Sequence, residues 1–174
     1  MKKILYNEQK ITISDINNNI NRVKILLLNS KNEVLLGYSH KGYQFPGGHI
    51  EEKETFDEGI IREVREETGI ELQVEDYKPF FIIEYYTKDY PEEGLNTSYL
   101  INHYVIKTDA KVNLENTNYT ENELAGKFKL VYVSIDEVID LAKEELTQAN
   151  TNINKNIYND MIKVIEAYEE FIQS

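Results

Sequence analysis

Residues 47 to 70 read Gly-Gly-His-Ile-Glu-Glu-Lys-Glu-Thr-Phe-Asp-Glu-Gly-Ile-Ile-Arg-Glu-Val-Arg-Glu-Glu-Thr-Gly-Ile. A glycine loop comes first, then a capped helix, then a stop. Thr55, with Glu58 three residues later, makes a capping box that starts the helix at Phe56. Gly69 supplies the left-handed residue that commonly closes a helix. On that helix Glu63, Glu66 and Glu67 stand at i, i+3 and i+4 and so share one face. Like charges stacked this way repel unless a cation sits among them, and carboxylate-only sites suit hard ions such as Mg²⁺ or Mn²⁺. Gly59 lies one turn before Glu63; a helical glycine costs about 1 kcal/mol against alanine, which implies that something approaches the backbone there. Ile60, Ile61 and Val64 form an apolar stripe able to dock the helix on a core, and Arg62 is within reach of Glu58 and Glu66 at i±4.

The spacing Gly48, five residues, Glu54, seven residues, then Arg62-Glu63-Val64-Arg65-Glu66-Glu67-Thr68-Gly69-Ile70 resembles the Nudix box at every fixed position. The resemblance is detailed from Val23 to Ile70, looser from Tyr99 to Ala142, and absent from the first 20 and last 30 residues. It implies an α/β/α sandwich with a mixed β-sheet around the loop and helix. One domain is expected over residues 1–174, with an N-terminal extension (1–21) and a C-terminal helix (150–174).

Members of that family hydrolyse a nucleoside diphosphate linked to another moiety, using a divalent metal. Carried over residue by residue, the resemblance makes Glu63, Glu66 and Glu67 metal ligands. Glu63 is the leading candidate for orienting or deprotonating water, with Glu66 and Arg62 beside it in the catalytic set. Gly47 is expected to lend a carbonyl to the metal, and Gly48 to meet the substrate. Some members use a carboxylate outside the box; Glu121 and Glu123 are the candidates here, Glu123 favoured. Glu54 and Arg62 are expected to form an ion pair that holds the loop to the helix. Substrate stacking is sought in an aromatic-rich region, Tyr85, Tyr86, Tyr90, Tyr99 and Tyr104, with Tyr85 and Tyr99 foremost, although strand tyrosines more often pack across strands.

Composition bounds the partners. A chain of 174 residues holds one domain with a proper core, and 41% hydrophobic with 11% aromatic residues is globular. Asp and Glu number 31 against 19 Lys and Arg, a net charge of −12 with no basic cluster, which argues against a nucleic-acid polymer. A small nucleotide-type substrate is still admitted, because a bound metal reverses the local sign. The absence of cysteine excludes disulfides, thiolate zinc sites and a cysteine nucleophile. It also disfavours the diphosphate isomerases built on the same scaffold, whose chemistry needs a cysteine. A non-catalytic nucleotide-sensing module is the second reading; such modules often lose box carboxylates, and none is lost here. His40, His49 and His103 are scattered and expected on the surface or in loops. Lys2-Lys3 is not followed by an apolar run and no stretch is long enough to span a bilayer, so a cytoplasmic location and no membrane partner are expected.

Along the chain, a short strand and a loop are expected before residue 22, then a hairpin of Val23 to Leu28 and Glu33 to Tyr38. Lys41 to Gly48 reads as extended, ending in a glycine turn. Glu71 to Tyr86 reads as two strands or one bent near Pro79, Thr87 to Ser98 as a loop, and Tyr99 to Thr108 as a strand. Ala110 to Lys127 is a polar connection before a strand at Leu130 to Val133. Ser134 with Glu137 predicts a second capping box opening a helix over 135–146. The last helix, 152–172, carries Ile157, Met161, Val164, Ile165 and Tyr168 at helical spacing, continued by Phe171 and Ile172, for core packing or a homodimer contact.

Overall fold

A computed structural model describes residues 1–40, 42–73 and 77–173. The parts of the expected extended segments that fall on residues 41 and 74–76 lie outside them. Seven strands form one sheet: β1 (Lys2–Tyr6), β2 (Asn18–Leu28), β3 (Glu33–Ser39), β4 (Gly42–Gln44), β5 (Tyr77–Thr87), β6 (Thr97–Lys107) and β7 (Lys129–Ser134). Their order is β1-β5-β6-β2-β3-β4, with β7 paired to β3 outside that path. β1 with β5 and β2 with β6 run parallel; the other pairs are antiparallel. The helices are α1 (Phe56–Thr68), α2 (Glu121–Ala125), α3 (Ile135–Gln148) and α4 (Asn152–Gln173). Among the described residues no helix is long and apolar enough to cross a membrane.

The strand period of two divides β2 between two cores. Val23, Ile25 and Leu27 face α1, where they bury Ile60 and Val64 with Ile70 and Ile106. Leu26 and Leu28 face α3 and α4, against Val138, Met161, Val164 and Ile165. The sheet is therefore sandwiched, one helix on one face and two on the other, as the sequence leads one to expect. The stripe on α4 is core packing at Met161, Val164, Ile165 and Tyr168, whereas Ile172 lies past the core and is exposed.

Three expectations need correcting. Residues 18–21 are strand rather than loop: β2 pairs with β6 in unbroken parallel register from Asn18↔Thr97 to Leu28↔Lys107. Polar side chains hid that pairing because the ladder bonds come from the backbone, whatever the side chains are. Ser134 makes no side-chain cap to α3, since its backbone belongs to β7 opposite Glu33 and the following amide, Ile135 N–H, donates to Asn32 O at 2.9 Å. His103 is neither surface nor loop; it is buried in β6 against the Phe81 ring. The bend at Pro79 appears inside one strand, as a register shift between Pro79 and Phe81.

Candidate active site

The site begins where β2 and β3 part. They pair only at Leu27↔Leu35 and Leu28↔Val34, so the first two thirds of β2 has a free edge on that side. The glycine loop fills it. Ile25 N–H donates to Pro46 O at 2.9 Å, Val23 N–H to Gly48 O at 3.0 Å, and Ile50 N–H to Asn21 O at 2.9 Å. Two loop carbonyls are thus taken by the strand, and the one between them, on Gly47, faces the other way. Gly47 sits at φ +121°, and a Cβ there would collide with the Val23 carbonyl. Only glycine holds that turn at that distance.

α1 stands over this loop. Its ends are as the sequence predicts: Thr55 accepts from Glu58 N–H, the reciprocal bond of the capping box is present, and Gly69 closes the helix at φ 69°. Gly47 N–H donates to Glu67 Oε2 at 3.1 Å. The Glu63 carboxylate lies against Gly48, where a Cβ would strike it. What approaches Gly59 is the Ile50 side chain, so that glycine lets the loop close on the helix.

Arg62 is the fastener. Its Nε and Nη2 donate to the two oxygens of Glu54 at 2.7 and 2.8 Å, and Nη2 also reaches His49 O at 2.8 Å. Its Nη1 donates to Glu63 Oε1 at 2.9 Å and to Glu66 Oε2 at 3.1 Å. Of the two i±4 partners expected for Arg62, Glu66 is engaged; Glu58 is instead bonded to Thr55. Glu63 and Glu67 are buried, and burial raises both carboxyl pKa values, opposed by Arg62 at Glu63 and by Lys24 at Glu67. Two hard oxygens, from Glu63 and Glu66, therefore already meet at one cationic atom. Among the described residues no three acidic or imidazole groups close on a single point.

This cluster walls a cavity of about 940 Å³ whose far side is the 118–123 segment. Glu121 and Glu123 both line it. Glu123 caps α2: Thr120 N–H and Oγ1 donate to its Oε2 at 2.6 and 2.9 Å. The expected polar connection thus contains a short helix. Its Thr-x-x-Glu signal was legible at Thr120 to Glu123, but a five-residue helix has no apolar period to draw the eye.

A second cavity, about 420 Å³, adjoins the first; Arg22, Lys24 and Gln44 line both. Tyr85, Tyr90 and Tyr99 converge on it, whereas Tyr104 lies in the opposite core, edge-on to Tyr77. Tyr85 and Tyr99 are cross-strand partners. The Tyr85 hydroxyl donates to Asp160 Oδ1 at 2.6 Å, and Arg22 lies over the Tyr99 ring. Burial pushes the Asp160 carboxyl up to about 7, against the pull of the Tyr85 bond. Partial burial and Arg22 push His49 down to about 4, so its Nε2 accepts from Arg22 Nε at 3.2 Å. Lys24 and Asp160 escaped the sequence reading. The available signals were one charge inside the apolar run Val23 to Leu28 and one acid on the apolar stripe of α4.

A mixed sheet between one helix and two, with a glycine loop feeding an acidic helix, defines an α/β/α sandwich organised around a loop–helix site. The chain belongs to the Nudix domain family, whose model matches residues 19–156. No curated protein matches it in sequence. Solved structures with the same fold include the MutT protein of Methanosarcina mazei Go1, 20% identical with TM-score 0.53 over 87% of this chain and 96% of that one. The mutator MutT protein of Bacillus halodurans is 21% identical, TM-score 0.52, over 70% of this chain and 72% of its own. The C. elegans Ap4A hydrolase is 15% identical, TM-score 0.52, over 88% and 98% respectively.

Proposed function

We propose that the protein is a metal-dependent hydrolase that cleaves the diphosphate bond of a nucleoside diphosphate linked to another moiety, by attack of water on phosphorus. The observation that carries this reading is the gathering of Glu63, Glu66 and Glu67 over the Gly47–Gly48 turn in one large cavity. An all-oxygen donor set suits Mg²⁺ or Mn²⁺. Glu63, Glu66 and Glu67 would hold the ion, with the Gly47 carbonyl and Glu123 as further oxygen donors. When bound, such an ion neutralises the diphosphate and lowers the pKa of attacking water.

The chain's own residues do the rest. Glu63, buried and with its pKa raised, orients water and takes its proton, with Glu66 beside it. Arg62 fixes the rotamers of both carboxylates and ties them through Glu54 to the loop. Gly48, which lines the same cavity, meets the substrate without a Cβ that would displace the Glu63 carboxylate. The moiety beyond the diphosphate extends into the second cavity, along Tyr85 and Tyr99.

On whichever diphosphate compound is turned over, Glu66→Gln and Glu67→Gln should each lower kcat by at least about 100-fold with unchanged thermal melts. Full activity in both variants would remove the metal assignment. Ligand binding without turnover of any such compound would favour the sensing module instead.

A further inference from the structure

Among the described residues Lys24 is the only lysine lining either cavity, and it lines both. It occupies a β2 position opposite His103 of β6, on the face that carries Leu26 and Leu28 into the α3–α4 core. An ammonium there must find acceptors or pay for burial. Its Nζ donates to Gly47 O at 2.6 Å and Phe45 O at 2.8 Å, with Gln44 Oε1 at 3.4 Å. The Pro46 and Gly48 carbonyls are held by β2 amides, so Lys24 grips the one carbonyl that this part of the turn offers inward. Across the same peptide, Gly47 N–H holds Glu67. Burial lowers the Lys24 pKa, and the charge of Glu67 is the largest effect holding it up.

We infer that Lys24 is a resident cation of the acidic cluster, seated on the Gly47 carbonyl where a divalent ion would otherwise be bound, and that it limits how tightly or in what number such ions are taken. Two cations on one carbonyl oxygen stand no more than about 5 Å apart, inside a Debye length, so their repulsion is weakly screened. Lys24 is tethered to β2 and always at hand, whereas the presence of an ion depends on its concentration. The inference rests on the metal reading above.

The test is Mn²⁺ binding without substrate, followed by the electron paramagnetic resonance signal of free Mn²⁺, on wild type, Lys24→Met and Lys24→Gln. Met removes the charge at similar volume; Gln keeps a donor for the loop without the charge and carries the comparison if the Met variant fails to fold. The uncharged variants should bind Mn²⁺ at least tenfold more tightly, or take up one more ion per chain, while Lys24→Arg behaves as wild type. Equal or weaker binding in both uncharged variants overturns the inference and leaves the hydrolase reading intact. No binding by any of the proteins overturns both.

Discussion

Gly47 and Gly48 are neighbours with different reasons to lack a side chain. At Gly47 an added Cβ meets the Val23 carbonyl at a positive φ, so the backbone of β2 or of the loop must move. At Gly48 the atoms it meets first are those of the Glu63 carboxylate, the far end of a flexible side chain. Gly47→Ala should therefore cost about 2–3 kcal/mol of stability, read as a lowered melting temperature. Gly48→Ala should stay within about 1 kcal/mol of wild type yet lose at least tenfold in activity, because Glu63 is displaced. Equal melts for the two variants would contradict this division. The paired glycines were legible because a tight turn is a local need. The Glu54–Arg62 pair was legible too, from the spacing of the box. Lys24 was not, since its partners lie 20 to 23 residues further on and the lysine alone says nothing of where its ammonium ends.

Two helix starts carry the same capping pattern in sequence and differ in the fold. Thr55 receives the Glu58 amide and closes its box, whereas Ser134 is claimed by pairing with Glu33 and makes no side-chain cap. Thr55→Ala should cost about 1 kcal/mol in denaturant unfolding, and Ser134→Ala less than about 0.5 kcal/mol. A comparable loss at both positions would show that Ser134 caps α3 after all. α1 could be read to the residue because Thr55, Glu58 and Gly69 act within a few positions of one another. β2 could not, because four of its first five residues are polar and their place is set by β6, almost 80 residues later in register.

At the scale of the molecule, strands β5 and β6 and helix α4 build the second cavity from residues that lie 14 to 75 positions apart. No window of sequence could have assembled it, although each tyrosine was noticed singly. Its half-buried acid makes stability depend on pH. Asp160 has a folded-state pKa raised to about 7 from an ordinary 3.8, so the fold keeps the proton over that interval while the unfolded chain has lost it. The contribution is fully present below about pH 4 and is lost as pH rises through about 7. With the residual solvent contact of this side chain discounted, wild type should lose about 2 kcal/mol between pH 4 and pH 8 that Asp160→Asn does not. Parallel stability curves for the two proteins would remove Asp160 as the cause.

The sandwich, the loop and the acidic helix converge on one chemistry, and a single measurement addresses it. A mixed panel of nucleoside diphosphate compounds is incubated with the wild-type protein in Mg²⁺, in Mn²⁺ and in chelator, and phosphate and nucleoside monophosphate release are followed. Cleavage of at least one member with either ion, abolished by chelator, is the predicted result. Cleavage that proceeds undiminished in chelator would contradict it.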